Sequence, residues 1–148
     1  MTTRVQEQIQ TYFDAQPEPK RAELAELHRA ILALQPDAQL WFLDGTDATG
    51  KVVTNPNVGY GVRPHTAGGK TRPFYRVGLS ATTSGISVYV MGLEDKTHLA
   101  RTYGADLGKA KVTGYCIAFK SLKAIQLPVL LAAIAEGLGR RDPSAPLS

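Results

Sequence analysis

The sequence predicts an α+β domain, a mostly antiparallel sheet of about five strands packed by helices at both ends of the chain. Apolar residues recur at helical spacing near the N-terminus and again near the C-terminus. Between them the apolar positions alternate with polar ones, as in half-buried strands. The connections in that middle region are too short for parallel crossovers, so its strands are antiparallel. A length of 148 residues suits one domain, able to bury about 70% of the surface its unfolded chain would expose.

Val5, Ile9, Tyr12 and Phe13 mark a first helix that ends near Gln16. Pro17-Glu18-Pro19 separates it from a second helix, with Pro19 suited to the first turn. Leu24, Leu27, Ile31 and Leu34 form that helix's apolar stripe, and Pro36 closes it. Strands are expected at Leu40–Leu43, Val58–Val62, Phe74–Leu79 and around Ile86, Val88 and Val90, with a hairpin turn at Thr83-Ser84-Gly85. Asp95 suits the N-cap of a short helix that holds Leu99 and Tyr103 and stops at Gly104. Gly114–Phe119 reads as the last strand, and Pro128 as the first turn of a final helix carrying Leu127, Leu130, Leu131, Ile134 and Leu138. Residues 1–139 are thus one domain, and 140–148 a flexible polar tail.

The last strand carries a further expectation. Read as one extended segment, it places Val112, Cys116 and Ala118 on one face and Tyr115, Ile117 and Phe119 on the other. Both faces are apolar, so one packs on helices and the other needs a cavity, a ligand or a homodimer partner.

Composition narrows the function classes. Hydrophobic content of 43% with 20% charged residues excludes a disordered or collagen-like chain. The single cysteine excludes a disulfide framework and points to the reducing cytoplasm. The longest apolar run, Leu127 to Ala135, is too short to span a bilayer, so no membrane partner is expected. Net charge is +4 but unevenly placed: residues 1–50 sum to −4 and residues 51–148 to +8.

Several motifs fail on mechanism. Gly45-Thr46-Asp47-Ala48-Thr49-Gly50-Lys51 resembles a phosphate loop, but Val52 follows where a magnesium hydroxyl is needed, and no helix starts there. A hairpin turn is the better reading. His28, His65 and His98 lack metal-ligand spacing. Cys116, inside a strand, is expected to be a buried small hydrophobe. Ser80, Ser84, Ser87 and Ser121 have no histidine that spacing assigns to them. No catalytic constellation results, and an enzyme is not expected.

Basic residues interleave with aromatics in the second half: Arg63, Lys70, Arg72, Phe74, Tyr75 and Arg76, then Lys109, Lys111, Tyr115, Phe119, Lys120 and Lys123. Such a pattern can bind single-stranded nucleic acid or an anionic small molecule or peptide, the latter here in a pocket of Tyr60, Arg63, Tyr75, Arg76 and Tyr115. Its plainer reading is core aromatics with basic edges that discourage strand pairing, and nucleic acid is not an expected partner.

Leu93-Glu94-Asp95-Lys96 and the run Gly108-Lys109-Ala110-Lys111-Val112-Thr113-Gly114-Tyr115-Cys116-Ile117-Ala118-Phe119-Lys120-Ser121-Leu122 resemble the YdhG-like family of small bacterial domains. The opening Tyr12-Phe13-Asp14-Ala15-Gln16-Pro17 and the final Leu127–Leu138 helix are similar to it as well. Many members carry a Trp-Gly-x-Pro turn where this chain has Trp41-Phe42-Leu43-Asp44. The resemblance implies an α+β fold and, from some relatives, a frataxin-like iron-chaperone role. Iron would need exposed carboxylates, and Glu23 and Glu26, three apart on one helix, are the candidates. The expectation is a small cytoplasmic, non-catalytic binding protein. Iron delivery, an anionic ligand or peptide in the Tyr/Arg pocket, and a purely structural dimerisation module are its three forms.

Overall fold

The computed structural model describes residues 4–91, 93, 95 and 97–139, with His65 and Ala67 as backbone only. The expected tail, residues 140–148, lies outside the described residues, as do Glu94 and Lys96 of the family-like segment.

Helix α1 spans Arg4–Asp14 and α2 Lys20–Leu34. Strands β1 (Leu40–Leu43) and β2 (Asn57–Tyr60) follow, then β3 (Arg63–Ala67), β4 (Lys70–Phe74), β5 (Val77–Thr82) and β6 (Gly85–Val90). Helix α3 (His98–Tyr103), strands β7 (Ala110–Thr113) and β8 (Cys116–Phe119), a 3-10 turn at Leu122–Ala124 and helix α4 (Leu127–Gly137) follow. All strand pairs are antiparallel, which confirms the α+β class. The main sheet has six strands in the order β1-β2-β5-β6-β8-β7, and β3 and β4 pair separately as a two-stranded ribbon.

The sixth strand comes from Gly114. Its φ of +57° turns the chain inside the segment expected to be one strand, and Thr113 pairs with Cys116 across a two-residue turn. Val112 therefore aligns with Ile117, on the face opposite Cys116 and Ala118. Phe74–Leu79 is likewise divided, because the chain bends at Tyr75 and Arg76. Pro19 sits at the N-cap of α2, where Glu18 Oε1 accepts the Ala22 N–H at 2.9 Å. Thr97, not Asp95, is the N-cap of α3; Asp95 Oδ1 instead accepts the Thr97 N–H and hydroxyl in a turn just before it.

Register decides which face each strand residue occupies. Val58, Leu79, Val88, Ile117 and Val112 form one row across the sheet, with Tyr60, Val77 and Val90 beside it. The helices cover this face, and Ile9, Phe13, Leu24, Leu27, Ile31, Leu99, Leu130 and Ile134 close the core against it. Burying each such side chain contributes about 1.5–3 kcal/mol. Among the described residues, no helix is long and apolar enough to cross a membrane.

Polar contacts at Tyr12 pin α1 to β5 and to the segment that leads into β2. Tyr12 Oη accepts the Ala81 N–H at 2.9 Å and donates to the Pro56 carbonyl at 3.1 Å, and Ser80 Oγ donates to the same carbonyl at 2.7 Å. Tyr12→Phe removes a partner from a buried N–H, which costs about 1–3 kcal/mol. A chain this size should then melt roughly 2–12 °C lower, as read by thermal denaturation.

Candidate ligand site

The ribbon grows out of the sheet between β2 and β5. Tyr60 pairs with Val77 and Arg63 with Phe74, so the two limbs keep one register across the bend at residues 61–62 and 75–76. Gly61 makes the bend at a φ of +80°, which only glycine adopts cheaply. Three bonds hold it. The Gly61 N–H donates to Gln39 O at 2.8 Å, Trp41 Nε1 donates to Gly61 O at 2.8 Å, and Arg76 Nε donates to Val62 O at 3.0 Å.

The ribbon's base is hollowed. Val62, Arg63, Pro64, Thr71, Arg72 and Pro73 line a concavity of about 340 Å³. Pro64 faces Pro73, and neither has an N–H for the ladder. Farther out, the Thr66 and Thr71 hydroxyls meet at 2.8 Å. Val62 remains 44% exposed, a large apolar side chain at the rim. Among the described residues, neither Arg63 nor Arg72 has an ion-pair partner. Strand alternation puts Pro64, Thr71 and Pro73 on one side of the ribbon and Arg63 and Arg72 on the other, with Phe74. An apolar floor and two guanidinium forks thus meet across the ribbon base, a combination that suits a ligand with a carboxylate or phosphate and an apolar part.

On the face opposite the helices, the Tyr75 ring lies over Gly59 and Gly78. A Cβ at Gly59 would meet that ring at 2.5 Å, and one at Gly78 would meet it at 2.8 Å. Phe74 stacks on Tyr75 with centroids 4.2 Å apart, and Trp41 lies 6.3 Å from Phe74. Burial, with Tyr89 nearby, pushes the Tyr75 hydroxyl up to about 12, so it stays protonated. The second apolar face is therefore partly covered by its own chain. Tyr89, Cys116 and Ala118 beside this cluster are half-buried. Burial also raises the Cys116 thiol, the reverse of what a nucleophile needs.

The five residues expected to form one pocket do not meet. Tyr60 faces the helices, fully buried, with its hydroxyl 2.7 Å from His28 Nδ1. Tyr75 is on the opposite face under Phe74. Arg76 is tied to the bend. Tyr115 lies in the β7–β8 turn, two strands from β5 and so about 10 Å away. Only Arg63 lines the concavity. Its partners Arg72, Pro64 and Pro73 had a signal in the sequence: Arg63-Pro64 and Arg72-Pro73 are two Arg-Pro pairs flanking Gly68-Gly69.

Glu23 and Glu26 both lie on α2, half-buried and exposed respectively. Among the described residues, no three His, Cys, Asp or Glu side chains gather closely enough to hold a metal ion. Residues 45–51 form a hairpin turn in which Asp47 Oδ1 accepts from the Thr49 N–H, the Thr49 hydroxyl and the Lys51 N–H. One further polar cluster ties α3 to α4: His98 Nε2 is 2.7 Å from Glu136 Oε2, and Tyr103 Oη donates to Glu136 Oε1 at 2.5 Å. Burial works to raise the Glu136 carboxyl, but the Tyr103 and His98 bonds outweigh it and hold it below the ordinary range.

The chain matches no known family model, no curated protein and no solved structure.

Proposed function

We propose that this chain is a non-catalytic binding protein whose ribbon holds an anionic ligand with an apolar portion. The observation that carries the reading is the ribbon base, where a concavity over Val62, Pro64 and Pro73 is bordered by Arg63 and Arg72, whose side chains alternate onto the ribbon's other side and have no acidic partner among the described residues. Arginine forks recognise carboxylates and phosphates in two-point geometry, and the prolines hold the floor stiff. The single cysteine fits work in the reducing cytoplasm.

The test is a thermal-shift series with inorganic phosphate, phenyl phosphate, benzoate and citrate. A ligand at a hundred times its Kd contributes about 2.7 kcal/mol, which should raise the melting temperature by roughly 5–10 °C. Phenyl phosphate should outperform inorganic phosphate. Arg63→Gln with Arg72→Gln should abolish the shift while leaving the ligand-free melting temperature within about 2 °C, since neither side chain is in the core. No shift with any probe, or a shift that survives both substitutions, removes the reading.

A further inference from the structure

The charge asymmetry of the sequence has a structural address. No Asp or Glu occurs between residues 48 and 93 or between 107 and 135, and none occurs in any of the eight strands. The acids of the first fifty residues lie instead on or beside α1 and α2 or in the Asp44–Asp47 turn region. Since the helices cover one face of the sheet, the other is left without a single acidic strand residue.

That face carries cations at separated places. Lys111 pairs with Ala118 and stands on it, with exposed Lys109 and Lys120 at the same end of the β7–β8 pair. The ribbon side that bears Phe74 also bears Arg63, Lys70 and Arg72, and Phe74 rests against the Trp41–Tyr75 cluster. Among the described residues, none of these cations is ion-paired. Strand β7 lies three strand spacings from β5, at least about 14 Å. Half-exposed Tyr89 lies between them, and half-exposed Trp41 beyond. A small anion cannot reach both basic ends, but a chain of phosphates can.

We infer that the open sheet face and the ribbon together bind a single-stranded polynucleotide, its phosphates running between the Lys111 end and the ribbon arginines and its bases against Tyr89 and Trp41. This rests on the anionic-ligand reading of the ribbon and adds the ligand's class and path. The sequence alone assigns the basic residues to strand edges and makes nucleic acid the less expected partner; the register gathers them on one partly covered face that carries no acidic residue in any described strand. Half-exposed Tyr89 between the cations, with Trp41 beyond, favours a nucleic acid over an acidic peptide or a sulfated sugar, because every base offers a flat π-face to stack on such rings.

The experiment titrates the full chain into a fluorescein-labelled 12-nucleotide mixed-sequence single-stranded RNA and its DNA counterpart, reading anisotropy. Duplex of the same sequence, heparin oligosaccharide and polyglutamate are the comparison ligands. Micromolar binding to the single strands in 50 mM salt is expected, with a negative log–log salt slope of about 0.7 per phosphate engaged. Lys111→Gln with Lys120→Gln should weaken binding about tenfold and flatten the slope by about 1.4. Trp41 is the only tryptophan, so its fluorescence should be quenched by the unlabelled strand, reporting base stacking without any substitution. Unchanged melting temperatures confirm that the variants fold. Failure to bind either single strand, equal or tighter binding of heparin, polyglutamate or duplex, unquenched Trp41, or indifference to the lysine substitutions would each overturn the inference. If the small-anion shift at Arg63 and Arg72 persists in that case, the proposed function stands and only the polynucleotide falls.

Discussion

Gly59→Ala and Gly78→Ala should each lower the melting temperature by roughly 2–12 °C, although alanine is ordinarily the better strand residue. Glycine in a strand interior costs about 0.5–1 kcal/mol relative to alanine, so a strand with room for the methyl would gain stability. These two have none. The added Cβ would sit 2.5 Å from Tyr75 Cδ2 at Gly59, and 2.8 Å from Tyr75 Cε1, Cζ and Oη at Gly78. Tyr75 cannot lift easily, since Phe74 is stacked on it and the bend is bonded on both sides. Overpacking of this kind costs about 1–3 kcal/mol, and each kcal/mol is worth roughly 2–4 °C in a chain of this length. The decisive comparison is with Tyr75→Ala. That change alone removes a large buried ring and should be strongly destabilising, but in its background either glycine substitution should become neutral or stabilising. Equal costs in both backgrounds would show that Tyr75 is not what excludes the methyl.

Acidification should destabilise the fold through His28. Its Nδ1 is 2.7 Å from the Tyr60 hydroxyl, and its ring packs edge-on to Phe13 at 5.4 Å. Burial first, and Arg29 second, hold its pKa below the ordinary 6.5. The unfolded chain therefore binds a proton more readily than the folded one. Stability is whole above about pH 6.5 and is lost as the pH falls toward the depressed native value, below which the loss stops growing. The melting temperature should thus fall between pH 7.5 and pH 5, and His28→Gln should flatten that part of the profile. Asp44, Asp47 and Asp95 are held low by bonds to Thr46, Thr49 and Thr97 and act only in more acidic solution, so they do not confuse the comparison. A profile equally steep without His28 would assign the effect elsewhere.

Helices were legible because each declares its stripe locally: Leu24, Leu27 and Ile31 recur at helical spacing and are all fully buried. The β5–β6 hairpin was legible for the same reason, its turn residues Thr83 and Ser84 standing between two alternating runs. The ribbon was not. Phe74 to Leu79 continues a strand-like pattern without a break, and the bend within it is held by Gly61 and its partners on another strand, while the Tyr75 ring it releases lies over two glycines, one of them sixteen residues away. Gly114 looked like the start of a strand because nothing in its neighbours says that Thr113 and Cys116 face each other. The candidate site was half legible. Arginines and aromatics were visible as types, but Tyr60 and Tyr75 look alike in sequence, and only register and the bend send one to the helices and the other to the opposite face.

The shared register of β2–β5 and β3–β4 has an evolutionary corollary. Deleting or inserting two residues in each limb of the arm would change its reach while every remaining side chain keeps its orientation. The arm's length, and what it grips, can therefore change without renegotiating the sheet beneath it.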